Sequence, residues 1–137
     1  MPKQVYINLP VKDLQKATEF YSALGFVKNE QWSNQDASCM KFSDDIFIML
    51  LTHSFYSKFT NKSIPDLTKN SSVLISLSFD SKDQVKTFAD TAKSLGGGYF
   101  EADFNKQYDF LFTLEVTDLD GHTLEPNFMD TSKFPTL

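Results

Sequence analysis

The sequence predicts an α+β fold made of two tandem βαβββ modules that together form a curved mixed sheet. Two amphipathic helical stripes, each led by a strand-like run and stopped by glycine, begin the case; three further strand-like runs follow each stripe. The third observation is internal: sliding the chain over itself by 68 residues puts Ile7 on Ile75, Leu9 on Leu77, Val11 on Phe79 and Phe20 on Phe88. A chain of 137 residues suffices for one core of ordinary size, so residues 1–137 read as a single domain of duplicated modules.

The first module spans about residues 3–52. Val5 to Val11 suit a short strand. Asp13 then offers an N-cap to a helix whose apolar positions Leu14, Ala17, Phe20, Tyr21 and Leu24 follow helical spacing and halt at Gly25. Strands are expected at Phe26 to Trp32, Ala37 to Phe42 and Ile46 to Thr52, the last two joined by the turn Ser43-Asp44-Asp45. Residues 53–70 read as a linker, polar overall but carrying Phe55, Tyr56 and Phe59. The second module, about 71–129, repeats the plan. Val73 to Phe79 is strand-like, and Val85, Phe88, Ala89, Ala92 and Leu95 form a helical stripe ending at Gly96-Gly97-Gly98. Strands follow near Tyr99 to Phe104, Asp109 to Val116 and Thr123 to Phe128.

Strand alternation assigns side chains to faces. Ile7, Leu9 and Val11 are expected under the helices, with Tyr6, Asn8 and Pro10 opposite. In the second module Ile75, Leu77, Leu124 and Pro126 go with the helices, leaving Leu74, Ser76, Ser78, Thr123, Glu125 and Asn127 on the other face. Glu125 poses a question of its own, because a carboxylate among apolar neighbours needs a metal, a cation or a proton to offset its desolvation.

Composition excludes several function classes. A net charge of −5 without a Lys/Arg cluster argues against nucleic acid. Cys39 is the single cysteine, so there is neither an intrachain disulfide nor a cysteine metal site, which fits a reducing, cytoplasmic setting. The longest apolar run, Ile46 to Leu51, is far too short to cross a bilayer, and the N-terminal MPKQVYINLP lacks a signal-type apolar segment. Fourteen Phe in an acidic chain point to a heavily aromatic core or to an apolar cavity.

The stretch INLPVKDLQKATEFYSALGF resembles the first strand and helix of the vicinal oxygen chelate superfamily, and DLDGHTLE resembles its last-strand signature. This resemblance covers nearly the whole chain and implies the paired βαβββ architecture shared by glyoxalase I, extradiol dioxygenases and fosfomycin- and bleomycin-resistance proteins. It also implies four metal-ligand positions, which fall here on Tyr6, Leu50, a site near Leu74, and Glu125. Three of these carry no suitable donor, and one carboxylate does not hold a divalent cation, so no metal cofactor is expected; were one bound, Glu125 would be its ligand. His53 and His122 read as linker and turn residues, and no nucleophile elbow, H-E-x-x-H or phosphate loop is present.

Three functions compete. The favoured one is a protein of the bleomycin-resistance type that binds a small aromatic or cationic molecule in a metal-free cavity lined by Tyr6, Asn8, Ile48, Leu50, Leu74, Ser76 and Glu125. The alternative is a metal-dependent lyase or dioxygenase with a non-standard ligand set. The third is a purely structural role in which Glu125 is paired internally. Whether the chain is an enzyme is left open by the sequence. A homodimer is expected from the resemblance.

Overall fold

The structure is a computed structural model and describes residues 2–134. The chain divides into two compact units at Asn70/Ser71. Each has the predicted α+β character, with a mixed sheet and one long helix.

In the first unit, β1 (Val5–Val11), α1 (Leu14–Ala23), β2 (Val27–Asn29), β3 (Ala37–Ser43) and β4 (Ile46–Thr52) make a four-stranded sheet of order β1-β4-β3-β2. The β1–β4 pairing is parallel, from Val5↔Ile46 to Val11↔Thr52, and the rest is antiparallel. Asp13 caps α1, its side chain accepting the Lys16 N–H at 3.1 Å. The helix ends where Gly25 adopts φ 103°, a backbone conformation that side chains resist. Ala17, Phe20 and Tyr21 bury its inner stripe. The Thr18 hydroxyl meets that of Ser38 at 2.7 Å, which identifies the face of the sheet lying under α1.

The second unit contains β5 (Leu74–Ser78), α3 (Lys82–Ser94), β6 (Gly98–Phe100), β7 (Leu111–Thr113), β8 (Glu115–Thr117) and β9 (Thr123–Met129). Its sheet runs β5-β9-β8-β6, with β7 also paired to β9 and β5 parallel to β9. Ser81 caps α3 by accepting the Gln84 N–H at 3.1 Å, while Gln84 Oε1 accepts the Asp80 N–H at 2.8 Å. Removing the cap with Ser81→Ala is expected to cost about 1 kcal/mol, read as a shift in the urea midpoint at unchanged slope. Val85, Phe88, Ala89 and Ala92 from α3 pack beneath a core that includes Ile75, Leu77, Val116 and Leu124.

The element edges depart from expectation where local polar chemistry wins. The strand expected to reach Trp32 stops at Asn29, whose side chain accepts the Gln31 N–H and starts a 3-10 turn over Glu30–Trp32. The strand expected from Tyr99 to Phe104 stops at Phe100. The 53–70 segment begins with a helical turn, α2 (His53–Tyr56), capped by the Thr52 hydroxyl. Another short helix, α4 (Phe104–Gln107), precedes β7. The strand expected over 109–116 is interrupted at Leu114, but Thr113↔Asn127 and Val116↔Leu124 keep one register, so β7 and β8 continue a single ladder on β9.

Candidate functional site

The chemistry of the second unit centres on the hairpin that joins β8 to β9. Asp118, nearly fully buried, accepts the N–H groups of Asp120 and His122 at 2.9 Å each through Oδ1, and its own N–H donates to the His122 carbonyl at 3.0 Å. Gly121 supplies the φ of 88° that closes the turn. This clamp sets the register Thr117↔Thr123 and Val116↔Leu124, so the next residues along the ladder, Glu115 and Glu125, lie opposite one another. Glu115 also pairs with Phe100 on β6, and Glu125 pairs with Ser76 on β5. Ser76, Glu125, Glu115 and Phe100 therefore form one row across the sheet, on the face away from α3.

Two carboxyl groups in adjacent positions cannot both ionise cheaply. Burial, together with the hydrogen bond and the charge of Glu125, pushes Glu115 from 4.5 up to about 8. The Glu115 side chain is 8% exposed, and its Oε2 is buried without a hydrogen-bond partner. Two residues back along the same ladder, the buried Thr113 hydroxyl also lacks a partner. The Thr113 backbone is held by Asn105, whose Oδ1 accepts the Thr113 N–H at 3.0 Å and whose Nδ2 donates to the carbonyl at 2.5 Å. Asn127, paired with Thr113, donates to the Ser76 hydroxyl at 2.7 Å and to the Leu77 carbonyl at 3.2 Å. Two unsatisfied buried oxygens, one of them in the carboxyl pair itself, thus lie on a face where Ser76 and Asn127 are hydrogen-bonded to each other.

The structure brings Ser76, Leu74 and Glu125 to this face, with Leu74 exposed at the β5 edge. In the first unit, Tyr6 and Asn8 lie on the face away from α1; Tyr6 is half exposed and stacks on Phe47 at 4.8 Å. Ile48 and Leu50 do not join them. The parallel ladder pairs Ile48 with Ile7 and Leu50 with Leu9, and Leu50 pairs with Ser38 on the other side, so both lie under α1 and are fully buried. The residues that share a face with Tyr6 and Asn8 are Phe47, Met49 and Leu51. The reason is the composition of β4: Phe47, Ile48, Leu50 and Leu51 are all buried, so the strand has no polar side to mark its parity.

Sequence reasoning also missed Glu115. The signal was present, since a turn closed by Gly121 with Asp118 and His122 as its ends places residue 115 opposite 125 by counting outward.

A model of the glyoxalase/bleomycin resistance protein/dioxygenase superfamily matches residues 3–125. The chain belongs to that superfamily. Solved structures agree at the level of fold. A hypothetical protein of S. aureus, SA1046, is 25% identical, with 94% of each chain covered and a TM-score of 0.72. A glyoxalase/bleomycin resistance protein/dioxygenase family enzyme of Burkholderia phytofirmans is 16% identical over 93% of this chain and 99% of its own, at a TM-score of 0.73. The fosfomycin resistance protein FosX of Mesorhizobium loti is 13% identical over 96% of both chains, at 0.67. No curated protein matches.

Within this superfamily fold the metal-ligand positions implied by the resemblance are not filled by a matching donor set. Leu50 is buried under α1 and has no lone pair, and among the described residues no group of three or more His, Cys, Asp or Glu is placed to hold an ion. Glu115 and Glu125 supply two carboxyls, fewer than the three protein ligands of a typical catalytic site.

Proposed function

We propose that this superfamily member binds a small aromatic or cationic molecule on the strand face that carries Glu125, without a divalent metal. The observation supporting this reading is the carboxyl pair of Glu115 and Glu125 with an unsatisfied, buried Glu115 oxygen beside it. Such an oxygen costs about 1–3 kcal/mol of desolvation when it is left unpaired, and a bound donor recovers it. Ser76 and Leu74, both exposed, extend the same face as further contacts. On the first unit taken by itself, Tyr6 and Asn8 are proposed as ligand-contacting residues of its open strand face.

A thermal-shift screen of small molecules, followed by calorimetry, tests the reading. A ligand at a hundred times its dissociation constant should add about 2.7 kcal/mol to stability. Elemental analysis of protein purified without chelator is its companion. Stoichiometric divalent metal removed by Glu125→Gln would replace this reading with the metal-dependent lyase or dioxygenase alternative.

We also propose a cytoplasmic homodimer. Exposed apolar side chains on the edge strands β1 (Val5, Tyr6) and β5 (Leu74) support association, and the lone buried Cys39 suits a reducing compartment. No helix among the described residues is long and apolar enough to cross a membrane. Sedimentation at micromolar concentration should give twice the chain mass; a monomer there rejects the dimer.

A further inference from the structure

Glu115 Oε2 and Thr113 Oγ1 are two buried oxygens without partners, two residues apart along one strand ladder and therefore on one face. Thr113 is 5% exposed and Glu115 8%, so solvent does little to satisfy either. Once ionised, the Glu115 carboxyl only accepts hydrogen bonds, and the Thr113 hydroxyl can accept one as well, so a cationic group bearing at least two N–H donors suits both, its charge displacing the proton that Glu115 otherwise holds. Side-by-side carboxyls favour a positive guest, because its charge can take the place of the proton that otherwise keeps the two from ionising together. The described lysines on the second unit's two helices have contacts of their own, Lys93 lying over the Tyr99 ring at 5.9 Å. Lys106 on α4 is engaged with Asp103 at 3.8 Å, and Lys82 and Lys86 on α3 lie over the Phe112 ring at 5.7 and 5.8 Å.

The neighbour across β6 adds a shape requirement. Phe100 pairs with Glu115 and is 62% exposed, so an open ring lies beside the carboxyl pair in the same row. An aromatic face next to an anionic acceptor suits a flat, delocalised cation, which stacks through its plane and donates through its edge.

We infer that this face recognises a planar cation of the amidinium or guanidinium class, held by Glu115, Glu125 and Thr113 and flanked by Phe100. The inference rests on the binding reading above and narrows it to one ligand chemistry, with Glu115 and Thr113 as the residues that determine specificity.

Benzamidinium, its uncharged isostere benzamide, and benzylammonium are the probes, titrated by calorimetry at pH 7.5 with residue-resolved NMR to locate the shifts. Benzamidinium should bind at 1:1 with shifts centred on Thr113, Glu115 and Glu125, and at least tenfold more tightly than benzamide. Benzylammonium, with a tetrahedral donor head, should fall between them. Glu115→Gln puts an amide at the acceptor position and should weaken benzamidinium at least tenfold; Thr113→Val should weaken it several-fold and leave benzamide unchanged. Equal binding of benzamidinium and benzamide, or full affinity in Glu115→Gln with a wild-type melt, overturns the inference. A neutral compound from the screen that shifts Ser76 and Glu125 while benzamidinium does not bind would overturn the cation and leave the binding function standing. If no screened compound shifts this face, both fall.

Discussion

Raising the pH from 5 to 9 is expected to destabilise the wild-type protein relative to Glu115→Gln by on the order of 2–4 kcal/mol. In the unfolded chain Glu115 releases its proton near 4.5, whereas in the folded protein burial and Glu125 hold the proton up to about 8. Between those values the folded state binds the extra proton, so stability falls as the pH climbs through the window and levels off above it. Each pH unit in the window is worth about 1.4 kcal/mol, and the total is discounted because Glu125 beside it is partly open to water. The Gln variant keeps the shape and has nothing to titrate. Urea denaturation of both proteins at pH 5 and pH 9 reads the difference directly: curves that converge at pH 5 and separate at pH 9 are expected, and parallel curves would show that Glu115 is ionised throughout.

Leu50→Ala should cost about 2–5 kcal/mol, against well under 1–2 kcal/mol for Met49→Ala. Leu50 is fully buried beneath α1, paired with Leu9 and Ser38, and its loss leaves a cavity that two sheet neighbours and a helix cannot readily close. Met49 lies on the opposite face beside Asn8 and is only partly buried, with a flexible side chain whose removal is better tolerated. The comparison separates the two possible parities of β4. If Met49→Ala proves the costlier change, Leu50 lies on the face away from α1 after all.

Those two expectations mark where the sequence was legible. Strand-helix order and the duplication could be read because α1 and α3 carry clean helical stripes with a side-chain cap before them and a glycine after. Parity was legible in β1, β5 and β9, where polar residues such as Asn8, Ser76 and Glu125 alternate with buried ones. It was not legible in β4, where burial on both faces erased the alternation. Glu125 was visible as a carboxylate in need of a partner, but its partner is Glu115, which only the turn register reveals. The short helices α2 and α4 escaped because four residues carry too little periodicity to stand out from a loop.

The parallel pairing of the first and last strands in each unit has a consequence for how the chain acquires its structure during synthesis. β1 has no ladder until β4 has been made, about 40 residues later, and β5 waits about 50 residues for β9, so each closure pays the entropy of a long loop before contacts repay it. A nascent chain released through Asn70 already holds every strand of its first sheet. The second sheet stays open until β9, nearly the last strand-forming residues, leaves the ribosome, and until then Ile75 and Leu77 are carried on a strand without a neighbour. In the interval between those two events the apolar side chains of β5 lack the ladder that later covers them, the condition under which aggregation competes with folding.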